Sequence, residues 1–222
     1  MAHSNSRNDI KTRILCQHFR GQQQAAATGA ISGQSIQSAQ FIRAASTSVA
    51  NNAKIHFKGR YLGMKEHDNW EYAYRTNAVG VVVLIPVTDA GELVLVEQYR
   101  IPVASKVIEL PAGLVGDTGI DDEDFKSAAH RELIEETGYS AAKLEELLTC
   151  PSTAGMADEI VTIYFATGLE RVGPGGGDSS EDIVVHHVPL EGAVEWLDDR
   201  VAEGIMLDPK IYAGLFWAGE RC

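Results

Sequence analysis

Two apolar runs constrain this chain most: AVGVVVLIPV at 78–87 and ELVLVEQYR at 92–100. A strand with one wet face alternates apolar and polar residues. A run that is apolar at nearly every position has to be covered on both faces, so it demands layers on either side of a sheet. The turn TDAGE (88–92) separates the runs and supplies Gly91, and the two are expected to pair as a central hairpin. KIHFKGRYLGM (54–64) and NWEYAYR (69–75) alternate in part and read as exposed strands. KVIEL (106–110) is a short strand ending at Pro111, and LEELLT, EIVTIYFATGL and IVVHHVPL follow as further strands. Helical patterns lie at 124–137, closed by Gly138, in LEGAVEWLDDRVAEG, and in DPKIYAGLFWAGE with Asp208 as N-cap and Pro209 at the first helical position. This order predicts an α/β fold: a mixed sheet between helices, an α/β/α sandwich, with an N-terminal antiparallel strand extension at 54–76.

The chain has 222 residues and is 45% hydrophobic, enough for one sizeable core. Its formal charge of −12 is unevenly spread. Residues 1–50 hold five of the 19 basic residues and one of the 31 acidic ones, which leaves 14 basic and 30 acidic, a net of −16, beyond them. So acidic a body repels nucleic-acid backbones and meets phosphates only through local arginines or metal ions. The first fifty residues, rich in Gln, Ala and Ser, are expected to form a disordered tail, with 51–222 as the folded domain. Their basic, acid-poor composition is also that of a transit peptide, the alternative to a cytoplasmic setting. The apolar run at 78–87 is too short to span a membrane as a helix, so no membrane partner is expected. Cys16, Cys150 and Cys222 are too few and too far apart for a disulfide framework or a zinc site, in keeping with a reducing, intracellular compartment.

The third feature is HRELIEETGY at 130–139. On a helix, Glu132, Glu135 and Glu136 share one face, and like charges at that spacing repel. A solvated acidic face is one reading. A site for a hard cation, which takes oxygen ligands, is the other. Arg131 and Glu123, eight positions before it, stand close by, and the upstream ELPAGLVG runs a strand into a glycine-containing loop.

These residues resemble the Nudix hydrolase signature, G-x5-E-x7-R-E-U-x-E-E-x-G-U, with U a bulky apolar residue. Glu123, Arg131, Glu132, Leu133, Glu135, Glu136 and Gly138 match in register. Gly113 stands as the opening glycine, four residues further from Glu123 than the pattern has it, and Tyr139 takes the final aliphatic position. WEYAYR, VEQYRIPV, VIELPAG, STAGMADE and EDIVVHHVPLEGAVEWL resemble the branch of that family that hydrolyses ADP-ribose and other nucleoside-diphosphate sugars.

The resemblance implies a Nudix-type α/β/α sandwich and Mg²⁺-dependent hydrolysis, with Mn²⁺ a possible substitute, of a nucleotide-sugar pyrophosphate bond. Other Nudix substrates (a dinucleotide, GDP-mannose, coenzyme A) and a non-catalytic nucleotide-binding module are the alternatives. It implies Glu132 and Glu136 as principal metal ligands, Glu135 as a further ligand, and the carbonyl of Ala112 as another. Arg131 would orient the site through Glu123 or Glu135. Glu159 in STAGMADE, with Asp158 beside it, matches a general base on a mobile loop; the plain alternative is that it begins a strand. Ala154 falls where the branch has a proline that marks ADP-ribose preference. Arg75 and Arg100 match arginines that face diphosphate and ribose. Trp70 either stacks on a base or covers a dimer interface, and Glu109 serves the metal site or a ribose hydroxyl. A homodimer is implied, with residues 54–76 as the arm. GPGGGDSS at 173–180 lacks the ending of a phosphate loop and reads as a turn, and the adjacent His186 and His187 would face opposite sides of a strand.

Overall fold

The uninterrupted apolar run becomes a strand whose two faces feed two different cores. A computed structural model describes residues 52–117, 123–177 and 181–222. The tail expected at 1–50, the middle of the insertion after Gly113 and the end of the glycine-rich loop lie outside them. β1 (Lys54–Lys58), β2 (Leu62–His67) and β3 (Trp70–Arg75) make an antiparallel three-stranded sheet. They are followed by β4 (Gly80–Pro86), β5 (Glu92–Arg100), β6 (Ser105–Glu109), β7 (Ala112–Val115), α1 (Phe125–Thr137), β8 (Tyr139–Pro151) and β9 (Ile160–Arg171). The chain ends with β10 (Val184–Pro189), α2 (Ala193–Ala202), β11 (Met206–Leu207) and α3 (Lys210–Arg221).

Two four-stranded mixed sheets result, in the orders β7-β4-β9-β8 and β10-β5-β6-β11. On β4, Val82 and Leu84 point to a core with Ala128, Ala129 and Leu133 of α1. Val83 and Ile85 point the other way, to a core shared with Leu93 and Leu95 of β5, Leu197 of α2 and Ile211 of α3. The period of two along a strand sends neighbours to opposite faces, and here both faces are dry. Helices therefore cover both sides, and the sandwich expected from the sequence is the one observed.

The expected central hairpin is corrected. The turn forms, with Thr88 N–H donating to the Glu92 carbonyl at 2.9 Å and Gly91 at φ 75°. Beyond a single bridge, Val87 to Leu93, the two strands part and join different sheets. β4 takes β9 as a parallel neighbour and β7 as an antiparallel one, while β5 takes β10 and β6. An apolar run specifies burial, not the partner that buries it. At Pro111 the chain leaves one sheet for the other, since proline has no N–H for a ladder. The expected glycine-containing loop after Pro111 is instead the strand β7, paired with β4, and the two-residue β11, parallel to β6, was not foreseen.

Local signals fared better. Asp124 caps α1, accepting from the N–H groups of Lys126 (2.8 Å) and Ser127 (3.0 Å). Gly138 closes the helix at φ 76°. Asp208 accepts from Lys210 N–H at 2.7 Å at the start of α3. On β10, His186 reaches Glu97 (3.0 Å) and His187 reaches the Tyr139 hydroxyl (2.9 Å), so the two imidazoles serve different partners. Among the described residues no helix is long and apolar enough to cross a membrane.

Candidate active site

The site starts from a missing side chain. A Cβ built on Gly113 would lie 1.7 Å from the carboxyl carbon of Glu132 and 1.9 Å from its Oε1, so only glycine leaves room for the Glu132 carboxylate where it stands. The Glu132 carboxylate is pressed against the strand there. One turn on, the buried Glu136 accepts from the N–H of Ala112 at 2.9 Å. Leu84 N–H donates to the Pro111 carbonyl, so the bonded pairs of the β4–β7 ladder alternate and Ala112 falls between them. Its N–H and carbonyl both point away from β4, toward α1 and the cavity that Ala112 lines.

Arg131 organises the acids. Its Nε donates to Glu123 at 2.9 Å, Nη1 to Glu132 at 2.7 Å and to Glu135 at 3.0 Å, and Nη2 to the Leu114 carbonyl at 3.0 Å. One planar guanidinium thus ties α1 to β7 and to the residue before the N-cap, with both Glu123 and Glu135 among its partners. Burial works against the Arg131 charge, but the hydrogen bond to Glu123 and the charge of Glu132 overcome it and hold the group above its usual range. Glu123 is correspondingly held below the usual carboxylate range by that hydrogen bond.

The other two acids move the opposite way. Burial pushes Glu132 up to about 7, against the pull of Arg131. Burial also drives Glu136 well above its ordinary value, opposed by the Ala112 N–H and reinforced by the charges of Glu132 and Glu181. Burial of two neighbouring carboxylates disfavours the charge on both, and a cation shared between them would offset that cost. Among the described residues the acids do not converge on one point as a finished ligand set, because Arg131 lies between Glu132 and Glu135. Their chemistry nevertheless fits a hard divalent ion: carboxylates and one backbone carbonyl, all oxygen, with neither thiolate nor imidazole among them.

A cavity of about 900 Å³ opens in front of this wall. It gathers Arg75, Arg100, Ala112, Arg131, Glu132, Glu135 and Glu159 from β3, β5, β7, α1 and the β8–β9 connection. Glu136 lies behind the wall, and Trp70, 62% exposed at the start of β3, does not line the cavity. Arg75 is ion-paired with Glu159, and the neighbouring Lys65 reaches Asp158 at 3.4 Å. Arg100 is held in a two-point contact by Glu109, at 2.8 and 2.5 Å, and this hydrogen bonding raises the guanidinium above its usual range. Glu109, left between two roles by the sequence, is the partner of Arg100. Glu181 and Asp117, unremarked in the sequence, also line the cavity, as does Asp208, which the sequence offered only as a helix cap, with its partner Lys210. The acidic pair Glu181-Asp182 after the glycine-rich stretch was the available signal.

A model of the NUDIX domain matches residues 76–205. The ADP-ribose pyrophosphatase of Bacillus subtilis (strain 168) is 36% identical over 122 residues, which cover 54% of this chain and 64% of that protein. The GDP-mannose pyrophosphatase of Pectobacterium atrosepticum is 30% identical over 152 residues, 63% of this chain and 76% of that one. The chain spans less than two thirds of the length of several curated relatives it matches, 63–64%. A solved structure of an ADP compounds hydrolase superposes with a TM-score of 0.57 at 22% identity, covering 76% of this chain and 90% of that one, and so shares the fold.

Proposed function

The chain belongs to the NUDIX domain family, and from that premise we propose that it hydrolyses the pyrophosphate bond of a nucleoside-diphosphate sugar, ADP-ribose first, with Mg²⁺ at the acid wall. The observation that carries this reading is the Glu132 carboxylate, pressed against Gly113 beside Arg131, on the wall of a cavity that also holds Arg75 and Arg100. An anionic diphosphate would meet arginines on one side and carboxylates on the other. The carboxylates repel it, and at about 4 Å each like-charge pair costs several kcal/mol at intermediate dielectric.

Glu132, Glu135, Glu136 and the Ala112 carbonyl would hold the cation. Once bound, the cation would lower the pKa of a water and offset charge on the phosphoryl oxygens, and the same oxygen ligands would take Mn²⁺ in place of Mg²⁺. Arg75 and Arg100 would clamp the diphosphate, since a guanidinium meets two phosphate oxygens at once. Both are engaged now, with Glu159 and Glu109, so binding exchanges partners. That exchange frees the Glu159 carboxylate at the moment substrate arrives. Glu159 then takes the proton of the attacking water, and the short connection that carries it closes over the site. Nucleoside monophosphate and sugar phosphate leave. In this reading Trp70 serves a second copy of the chain rather than a base. The apolar surface of β1–β3 (Ile55, Phe57, Leu62, Met64) is exposed and suits a homodimer contact.

GDP-mannose is the second reading, favoured by Ala154 at the loop position where ADP-ribose enzymes of this type carry proline, and by the Pectobacterium relative. Incubating the protein with each nucleotide sugar and Mg²⁺, and measuring released AMP or GMP, tests both. AMP from ADP-ribose, abolished by chelation and reduced by orders of magnitude in Glu136→Gln, is the expected result. GMP from GDP-mannose with no AMP from ADP-ribose would reverse the substrate assignment, and no product from any nucleotide sugar would end the proposal.

A further inference from the structure

The stretch Gly173-Pro-Gly-Gly-Gly177 carries no charge and takes no part in the chemistry above. Its backbone nevertheless sits on the C-terminal end of α1. An α-helix leaves its last four carbonyls without intrahelical donors. The Gly138 N–H takes that of Ile134 at 2.9 Å. The carbonyls of Glu135 and Glu136 are taken from outside the helix, by the N–H groups of Gly177 (3.0 Å) and Gly176 (2.9 Å). The Gly138 carbonyl accepts from Val172 at 2.9 Å and from Gly173 at 3.1 Å.

The glycines are dictated by this seat. Gly175, Gly176 and Gly177 all have positive φ, at 69°, 104° and 82°. A Cβ on Gly175 would meet the Thr137 carbonyl carbon at 2.5 Å, and one on Gly177 would meet the Glu181 carboxylate at 2.5 Å. Gly176 in turn accepts from Ile183 N–H at 3.3 Å, and Ile183 is buried, which roots the stretch at its far side. Gly176 therefore sits on the end of α1 while Gly177 lies beside Glu181 of the cavity wall.

The two carbonyls held in this way belong to Glu135, whose carboxylate stands on the cavity wall, and to Glu136, whose carboxylate is buried behind it. A residue's carbonyl and its side chain move together, so fraying of this last turn would displace Glu135 and Glu136 first. We infer that the glycine-rich loop is a positioning element of the site: it caps α1 from a distance and fixes the Glu135 and Glu136 carboxylates in the geometry that binds a divalent cation. What those carboxylates hold rests on the function proposed above; the cap itself does not.

Gly176→Ala is the discriminating variant. A Cβ there meets nothing nearer than the Ile183 carbonyl at 3.8 Å, so the change strains only a backbone at φ 104°. Gly192→Ala supplies the control, since Gly192 precedes α2 at φ 84° with open space around it. Each variant is assayed for thermal stability, for Mn²⁺ binding to the free protein by calorimetry, and for kcat and KM on the nucleotide sugar that the wild type turns over. Gly176→Ala is expected to weaken Mn²⁺ binding and lower kcat by roughly tenfold each, the scale of losing support behind a metal ligand, with KM little changed. Gly192→Ala is expected to lose comparable thermal stability and leave both at wild-type values. Equal Mn²⁺ affinity and kcat in the two variants would overturn the inference. Should Gly176→Ala not fold, amide exchange in the wild type decides: Gly176 and Gly177 are expected to exchange as slowly as the last turn of α1, and unprotected exchange would overturn the cap. A wild type that binds Mn²⁺ and shows the protected amides but turns over no nucleotide sugar would defeat the proposed function and leave the cap intact.

Discussion

Replacing Gly113 with alanine puts one methyl group where the structure has no room for it. The backbone at 113 is ordinary strand, so alanine brings no φ penalty and by itself stiffens the unfolded chain slightly. The whole effect is steric and falls on one group. The new Cβ would stand 1.7 Å from the Glu132 carboxyl carbon, whereas ordinary contact begins at 3.4 Å, so that carbon has to retreat by about 1.7 Å. A misplacement of about 1 Å near the chemistry costs on the order of 100-fold in rate, or about 2.7 kcal/mol of transition-state stabilisation. Retreat also stretches the 2.7 Å contact from Arg131, a charged hydrogen bond worth about 1.5–3 kcal/mol if lost entirely. Part of that loss is offset because Glu132 escapes the burial that holds it near neutrality. The expected outcome is kcat down by about 100-fold or more at saturating Mg²⁺, with a modest fall in melting temperature. Released nucleoside monophosphate and a thermal melt measure the two. A folded Gly113→Ala protein within about fivefold of wild-type kcat would refute the reasoning, because the Glu132 carboxylate would then not need its present position.

Three further outcomes follow from the same wall of residues. Arg131→Lys keeps the charge but loses the fork that reaches Glu123, Glu132, Glu135 and Leu114 together, so urea unfolding should show a loss of about 2–3 kcal/mol. Glu132 is an acid whose folded value, about 7, exceeds its unfolded one, near 4.5, so it lowers stability as pH rises between those values and is neutral in effect below them. With chelator present, Glu132→Gln should therefore gain on the wild type by up to about 3 kcal/mol between pH 4.5 and 7.5, and parallel curves would contradict the assignment. Asp124→Ala removes both donors' acceptor at the start of α1 and should cost about 1 kcal/mol in thermal or urea unfolding, with kcat little affected.

Much of the site was legible because its information is short-range. The spacing of Glu132, Glu135 and Glu136 along one helix and the C-cap Gly138 are decided within a few residues of each other, where backbone geometry alone fixes who faces whom. For Arg131 the sequence left Glu123 and Glu135 as alternatives, and the structure gives it both. Trp70 shows where this stops. It belongs to a motif that suggested a base-stacking role, yet β3 brings Arg75 at its far end to the cavity and leaves Trp70 at its start outside, a difference that depends on where the other elements stand.

The sequence alone determined that there would be a helix carrying carboxylates on one face, strands buried on both sides, and a glycine-containing segment leading from a strand to that helix. Only the tertiary structure decided that β4 and β5 part into separate sheets, that Arg100 is gripped by Glu109, that Arg75 holds Glu159, and that a glycine-rich loop closes α1. The physical difference is range. Helix periodicity and capping cost little entropy and are set by neighbours, whereas strand partners and trans caps are chosen among competing long loops by which arrangement buries the most apolar surface while leaving no backbone group unpaired.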